Sequence, residues 1–202
     1  MVEHILLLAR GRRVLFDRTA SPQHEFGLDW DAEVTDLSFY PWPPAELREL
    51  ALAHDVIVIG GGSTANMLAV WRVHGFDGIL REAWENGILL TGWSAGMICW
   101  FEAGVTDSFG PQLEGMRDGL GFLPGSACPH YDGEELRRPV YTQLVRDGFP
   151  AGIALDDAAG AHYVGTELRE VIATGESAGG YAVSPEGERP LAVRRLNVAD
   201  AP

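Results

Sequence analysis

Cysteine is scarce in this chain of 202 residues, which contains only Cys99 and Cys128. Two cysteines do not imply a disulfide framework, and nothing around them has the ligand spacing of a metal site. Both lie in apolar surroundings, so we expect buried structural thiols. The sequence therefore favours neither a disulfide-stabilised nor a metal-dependent protein, and we expect no metal and no cofactor.

Positive charge is also scarce, with 15 basic against 29 acidic residues and a formal net charge of −14. Such an excess of negative charge argues against nucleic acid and against an anionic membrane surface as partners. Solubility alone explains the acidity. The oligomeric state stays open, with a homodimer among the options.

Long hydrophobic runs are missing, and no segment approaches the length of a membrane span. The apolar N-terminal run over residues 1–9 is too short for a signal peptide and has no basic leader, so we predict a first buried strand there. No repeat or linker interrupts the chain. The sequence predicts one cytoplasmic domain over residues 1–202.

Apolar patterns of strand and helix type alternate along the chain, which predicts an α/β fold, a three-layer sandwich around a mostly parallel central sheet. A polar, turn-prone stretch covers residues 10–30, and a polar loop covers residues 106–119. Helices are predicted over residues 45–52, 65–73, 78–85 and 135–145, and strands over residues 33–39, 56–59, 88–91, 120–122, 127–130, 152–155, 161–164, 168–173, 181–184 and 191–195.

The segment 89–98 is the most informative motif in the sequence. An apolar run predicts a strand, the letters Gly-Trp-Ser-Ala-Gly follow over residues 92–96, and a helix is expected to start directly after them. This order is that of a nucleophile elbow, in which small residues let a tight turn expose the serine hydroxyl. Ser94 is therefore the candidate nucleophile, although the motif alone also fits an ordinary turn in a glycine-rich chain.

A serine hydroxyl needs a base to remove its proton, and six histidines are available. His130 ends a short apolar strand, at the position where α/β enzymes place catalytic groups, and is the favoured base. His162 is the rival, although its apolar neighbours suggest a packed strand residue. Solvated or capping roles are expected for the remaining histidines, which are His4, His24, His54 and His74.

A carboxylate should orient the histidine, and Asp156 and Asp157 end a predicted strand one helical crossover after His130. The alternative is that these two adjacent acids belong to an ordinary solvated turn at the end of the strand. Backbone N–H groups must also stabilise the oxyanion, and Ala95, the residue after the serine, supplies one such donor. The glycines at 60–62 are suited to supply a second; their spacing fits neither common phosphate-binding motif.

Together these motifs resemble the peptidase E (α-aspartyl dipeptidase) and cyanophycinase family of serine peptidases. The resemblance rests on residues 60–64, 92–96, 129–131 and 155–157 and covers roughly residues 56–164. It implies a class I glutamine amidotransferase-like fold with Ser94 as nucleophile and His130 as base.

By the same resemblance, Gly62 and Ala95 donate the N–H groups of the oxyanion hole. The family's third catalytic residue is usually a glutamate, and Asp157 stands at that position here. Because aspartate is one methylene shorter, the turn that carries it must lie closer to His130.

Two departures from the family pattern are a shorter chain before the serine and a short loop after His130. Aspartyl dipeptidases carry in this region an arginine that holds the acidic side chain of the substrate. Arg137 and Arg138 are the candidates here, with Arg137 aligning better, since the guanidinium fork can bind both carboxylate oxygens. Both could also be surface residues at a helix start.

The sequence thus predicts a metal-independent serine peptidase that cleaves dipeptides or short peptides, with an acidic residue beside the scissile bond. The same arginines could instead hold a C-terminal carboxylate, which would make the protein a small carboxypeptidase. An esterase or amidase would use the same acyl chemistry. A catalytically silent binding protein is the alternative outside the hydrolases.

Overall fold

The computed structural model describes residues 1–21 and 31–196, so the predicted position of His24 lies outside the described residues. The chain divides into two compact units, an N-terminal unit of Val2–Met97 and a C-terminal unit of Ile98–Pro202 with Met1. The single domain predicted from the sequence stays a prediction. Among the described residues, no helix has both the length and the apolar character needed to span a bilayer.

The N-terminal unit is built around a four-stranded sheet. Its elements are α1 (Val2–Ala9), β1 (Arg13–Asp17), β2 (Glu33–Leu37), α2 (Leu47–Leu52), β3 (Val56–Ile59), α3 (Thr64–His74), α4 (Phe76–Glu85), β4 (Leu89–Gly92) and, across the unit boundary, α5 (Ala95–Ile98). The strand order is β2-β1-β3-β4, and every pairing is parallel. Strand β3 is buried at all its positions, as expected for a central strand of a parallel sheet.

The register of this sheet places the ends of three strands side by side. Asp17 of β1 pairs with Ile59 of β3, and Ile59 pairs in turn with Gly92 of β4. The segments that leave these strands therefore start from one edge of the sheet. In parallel α/β sheets this carboxyl edge is where ligands bind.

The predicted N-terminal strand is wrong, because residues Val2–Ala9 form helix α1. Its buried and half-buried residues pack against Val14, Phe16, Val56 and Val58. Those residues, Val2, Ile5, Leu6 and Ala9, recur at helical spacing, whereas Leu7 between them is 61 % exposed. The first strand is instead β1, inside the stretch that the sequence predicts as polar and turn-prone.

The C-terminal unit contains a six-stranded mixed sheet and a three-stranded sheet. Its elements are β5 (Phe101–Thr106), β6 (Glu114–Met116), β7 (Leu123–Cys128), α6 (Arg137–Arg146), β8 (Gly152–Leu155), β9 (Ala159–Val164), β10 (Glu167–Ala173), β11 (Gly180–Ser184), β12 (Gly187–Pro190) and β13 (Val193–Arg195). The larger sheet has the order β12-β11-β8-β7-β5-β6, with parallel pairing of β5, β7 and β8, and the smaller sheet has the order β13-β10-β9.

The region after the serine motif differs most from the prediction. Helix α5 is only four residues long, and strand β5 follows almost at once, although no strand is predicted there. Strand β6 lies inside the predicted polar loop and pairs antiparallel with β5. Strand β6 has only three residues, Glu-Gly-Met, which is too short for a strand pattern in the sequence, and pairing with β5 is what makes it a strand.

Both cysteines are buried, as predicted from their apolar neighbours. Burial raises the pKa of the Cys128 thiol to about 12, so it stays protonated at neutral pH. The α/β class with mostly parallel sheet that the sequence predicts is confirmed.

Candidate active site

Ser94 lies in a tight turn between β4 and α5. Its φ is +55°, a left-handed conformation that a residue with a side chain seldom adopts. The Gly96 N–H donates to the Trp93 carbonyl at 2.9 Å, and the Met97 N–H donates to the Ser94 carbonyl at 2.9 Å. The strand, turn and helix start predicted by the motif are therefore all present, and the surrounding packing holds the strained residue in place.

The glycines on both sides of Ser94 are required by close backbone contacts. A Cβ added to Gly92 would lie 2.5 Å from the Ile59 carbonyl oxygen, and one added to Gly96 would lie 2.2 Å from that oxygen. Both distances are far below contact distance, so the turn can pack against the end of β3 only without side chains there.

The loop after β3 contacts the serine turn directly. A Cβ added to Gly61 would lie 3.1 Å from the Ser94 Cβ, so the loop backbone packs against the serine. Gly62 has a φ of +134°, and it is exposed. Helix α3 begins directly after this loop, with the Ser63 side chain accepting from the Asn66 N–H. Gly62 and Ala95, the two predicted oxyanion donors, thus both lie next to the serine turn.

His130 pairs with Asp157 at 2.7 Å between Nδ1 and Oδ1. Because an ionised carboxylate can only accept, Nδ1 carries the proton, and in the neutral ring Nε2 is left as the acceptor. The side chain of His130 is 27 % exposed, and His130 has a φ of +55°. A histidine held in this tautomer can take a proton through Nε2.

The turn that carries Asp157 is anchored on the loop after His130. The Asp157 N–H donates to Asp132 Oδ1 at 2.8 Å. A Cβ added to Gly133 would lie 2.1 Å from Asp157 Oδ2. Ala158 completes the turn with a φ of +64°. Sequence reasoning missed Asp132 and Gly133 as site residues, although Asp-Gly two residues after a histidine at a strand end is a recognisable turn signal.

Asp156, the alternative third residue, makes different contacts. Its Oδ2 accepts from the Gly179 N–H at 2.8 Å and from the Tyr181 hydroxyl at 3.3 Å. Its side chain is buried, and burial raises its pKa. It is therefore Asp157, not Asp156, that forms the hydrogen bond with His130.

The other described histidines have different partners. His54 bonds through Nδ1 with the Leu50 carbonyl at 2.7 Å and through Nε2 with Thr35 Oγ1 at 3.0 Å. His74 packs on Phe39, and His162 Nδ1 lies 3.5 Å from Glu170 Oε1. Among residues 1–21 and 31–196, no group of three or more histidines, cysteines and carboxylates could hold a metal ion.

The two neighbouring arginines of α6 differ in environment. Arg137 is 3 % exposed; its Nε donates to Glu134 Oε2 at 2.7 Å and its Nη1 to the Val105 carbonyl at 2.8 Å. Arg138 is 42 % exposed. Its Nε and Nη2 donate to the two carboxylate oxygens of Glu188, and this bond raises the pKa of Arg138.

The guanidinium of Arg138 also lies over two tyrosine rings, 4.8 Å from the centroid of Tyr131 and 4.7 Å from that of Tyr181. Tyr131 directly follows His130, so Arg138 lies next to the loop that carries the histidine. Neither arginine is shown to bind substrate, and that role stays a prediction for both.

Comparison with known proteins identifies the family. The model of peptidase family S51 matches residues 18–171. The "uncharacterized peptidase YgaJ" of Bacillus subtilis is 45 % identical over 171 residues, which cover 82 % of this chain and 74 % of YgaJ.

Among solved structures, a "Putative Peptidase E Protein" from Listeria monocytogenes EGD-e matches with a TM-score of 0.55 at 17 % identity, covering 96 % of this chain and 93 % of that one. At this identity the likeness concerns the fold, and it agrees with the glutamine amidotransferase-like fold that the resemblance implies. Because the family model spans most of the sequence and a peptidase shares nearly half of the aligned residues, the chain belongs to peptidase family S51 and is a serine-type peptidase.

Proposed function

We propose that this peptidase cleaves dipeptides or short peptides with Ser94 as nucleophile, His130 as general base and Asp157 as the carboxylate that orients His130. The 2.7 Å hydrogen bond between His130 and Asp157 carries the proposal. It leaves Nε2 as the acceptor, which is the atom that must take the serine proton. The strained turn at Ser94 supports it independently, since strain of this kind concentrates at functional sites.

In this mechanism the Ser94 oxygen attacks the scissile carbonyl carbon while its proton passes to His130 Nε2. The tetrahedral intermediate collapses as the C–N bond breaks, and His130 gives the proton to the leaving amine. Water then attacks the acyl-enzyme ester with His130 again taking the proton, and the released serine oxygen recovers it. Asp157 stays ionised throughout and stabilises the imidazolium.

The developing oxyanion needs donors that are in place before the reaction. We assign this role to the N–H groups of Ala95 and Gly62. Ala95 is the first residue of α5, where N–H groups have no partner within the helix. The contact of Gly61 with Ser94 places the backbone of the glycine loop beside the serine. Losing one such donor typically costs about 3–4 kcal/mol of barrier stabilisation.

For substrate recognition, Arg138 is a better candidate than Arg137. All three guanidinium nitrogens of Arg137 are engaged by Glu134 and Val105, and the side chain is almost fully buried. Arg138 also bonds with Glu188 through Nε and Nη2, but it is far more exposed than Arg137 and lies over Tyr131, next to His130. We therefore propose that Arg138 attracts the acidic side chain beside the scissile bond.

The first test compares wild type with Ser94→Ala on Asp-X dipeptides, Ala-X dipeptides and longer N-blocked peptides. We expect cleavage by wild type, favouring Asp-X, and a loss of at least about a thousandfold in kcat for Ser94→Ala. Ser184→Ala is the matched control, because its hydroxyl bonds with Glu186 away from the proposed chemistry, and it should keep full activity.

The products separate the remaining alternatives. Release of C-terminal residues from the N-blocked peptides would indicate a carboxypeptidase and would assign Arg138 to the terminal carboxylate. Equal turnover by Ser94→Ala and wild type would overturn the mechanism.

A further inference from the structure

Asp17 is a buried carboxylate with no role in the mechanism above. It ends β1, its exposure is 0 %, and it pairs in register with Ile59, the last residue before the glycine loop. The Thr19 N–H donates to Oδ1 at 2.8 Å and the Thr19 hydroxyl donates to the same oxygen, while Trp71 Nε1 donates to Oδ2 at 2.7 Å. Burying an ionisable group this deeply is costly unless it is hydrogen-bonded, and three donors compensate for that cost here. The question is what this buried, fully bonded carboxylate does for the protein.

The first pair of bonds fixes the turn that supports the glycine loop. Asp17 fixes Thr19, and the next residue, Ala20, contacts the loop through its carbonyl. That carbonyl accepts from the Ser63 N–H at 2.9 Å. A Cβ added to Gly62 would lie 2.2 Å from the same oxygen, so the turn packs directly on the Gly62 backbone. Gly62, with its positive φ, therefore packs against a turn that Asp17 holds in place.

The third bond fixes the other side of the loop. Trp71 belongs to α3, whose first residue follows the glycine loop after Ser63, and its side chain is fully buried. In addition, the Gly60 N–H donates to the Asp17 carbonyl at 3.0 Å. One residue thus contacts the start of the loop, the turn beneath it and the helix that follows it.

We propose that Asp17 is a positioning residue that holds the loop at 60–62 so that the Gly62 N–H meets the oxyanion of the transition state. The inference rests on the proposed function of Ser94 and Gly62. Asp17 acts through the loop and touches neither substrate nor Ser94. Its contribution should appear in the transition state and leave substrate binding almost unchanged.

Asp17→Asn is the informative substitution because it keeps the shape of the side chain. An amide has one oxygen and one NH2 group, so it cannot accept from both Thr19 and Trp71. Whichever way it is turned, its NH2 group must face an N–H group, either that of Thr19 or that of Trp71. We expect kcat to fall by roughly tenfold to a hundredfold, since a misplacement of about 1 Å can cost that much, with KM within about threefold. Thr19→Val removes only the hydroxyl donor and should give a smaller change in the same direction.

The decisive readout is the preference for an oxygen over a sulfur at the scissile carbonyl. The best-cleaved peptide of the panel above is compared with the same peptide carrying a thioamide at the scissile bond. Sulfur accepts hydrogen bonds poorly, so a well-placed oxyanion hole makes the wild type favour the oxygen substrate. Asp17→Asn should lower this oxygen-to-sulfur ratio of kcat/KM by about tenfold, because the donor it displaces acts mainly on the oxygen substrate.

Asp55→Asn is the matched control, since it breaks the ion pair with Arg13 at the opposite end of the same sheet. Its oxygen-to-sulfur ratio should equal that of wild type even if its melting temperature falls. An unchanged ratio in both Asp17→Asn and Thr19→Val would overturn the inference while leaving the proposed function intact. Absence of any Ser94-dependent cleavage by wild type would overturn the proposed function, and this inference with it.

Discussion

Gly133 shows how tightly single residues define the histidine–carboxylate pair. Its hydrogen atoms face Asp157, and a Cβ in their place would lie 2.1 Å from Oδ2 and 3.0 Å from the carboxyl carbon. The Asp157 carboxylate therefore rests on the backbone of the loop that also carries His130. Aspartate is one methylene shorter than the glutamate that the family resemblance implies at this position, and this close approach of the two loops brings the shorter side chain within hydrogen-bond distance of His130.

Gly133→Ala should weaken the His130–Asp157 pair without removing either residue. The added methyl group must displace the carboxylate, so we expect kcat/KM to fall by roughly tenfold to a hundredfold. Gly110→Ala is the control, because a Cβ at Gly110 meets nothing within 4 Å. Steady-state kinetics of both variants check the prediction, with melting temperatures to detect unfolding. Wild-type kinetics in a folded Gly133→Ala variant would contradict it.

At the same scale, the sequence predicts the serine motif and the histidine but does not distinguish Asp156 from Asp157. Both acids follow the same strand, and which one reaches His130 depends on the left-handed turn at Ala158 and on the backbone bond with Asp132. Neither the left-handed conformation of Ala158 nor the bond between Asp157 and Asp132 can be predicted from a local sequence pattern. The sequence does not predict the role of Asp17 either, because its partner Trp71 is 54 residues away.

Helix α6 shows at the scale of an element why neighbouring identical residues can differ in role. Successive helical residues point about 100° apart, so Arg137 and Arg138 face different surroundings. Arg137 bonds with the Val105 carbonyl of β5, whereas Arg138 bonds with Glu188 of β12. The sequence predicts the helix, yet it cannot predict the burial of Arg137, because the partner strand β5 is itself missing from the prediction.

Replacing each arginine in turn by methionine should distinguish the roles of Arg137 and Arg138. Arg137→Met leaves Glu134 and the Val105 carbonyl without their donor, so we expect a loss of about 1–3 kcal/mol in the free energy of unfolding, with KM unchanged. Arg138→Met should instead raise KM for Asp-X by roughly tenfold or more and leave KM for Ala-X within about twofold. Urea unfolding and steady-state kinetics measure the two effects.

Arg146→Met at the exposed end of α6 serves as control for both arginine variants and should change neither quantity. If Arg137→Met raised KM selectively for Asp-X, the roles of the two arginines would be reversed. Equal KM changes for Asp-X and Ala-X in Arg138→Met would instead argue that Arg138 serves only to join α6 to β12.

On the scale of the whole molecule, the sequence predicts the α/β class because buried strands and amphipathic helices alternate, and that pattern is local. It fails where tertiary contacts decide. The apolar run at residues 1–9 is compatible with a strand, and only the packing of its residues against β1 and β3 shows the helical spacing of α1. Strand β6 is a strand only through its pairing with β5. Tertiary context overrides local propensity in both cases.

The net charge of −14 also belongs to this scale, because it acts on every substrate that approaches. An Asp-X dipeptide carries a net charge of −1 at neutral pH and is repelled at long range, whereas a Lys-X dipeptide is attracted. Raising the ionic strength from about 10 mM to 150 mM shortens the screening length from about 30 Å to about 8 Å. The proposed bond between the substrate and Arg138, which is partly buried, would be screened less than this long-range repulsion.

We therefore expect kcat/KM for Asp-X to rise by about twofold or more as sodium chloride is added, while kcat/KM for Lys-X falls and that for Ala-X stays level. The three salt series measure this directly, and sucrose at matched viscosity controls for diffusion. An opposite trend for Asp-X would mean that the field at the site is positive despite the acidic surface, with the arginines of α6 dominating over the remaining charge. The sign of the salt effect thus decides whether substrate selection is governed by the molecule's overall charge or by the few cations next to His130.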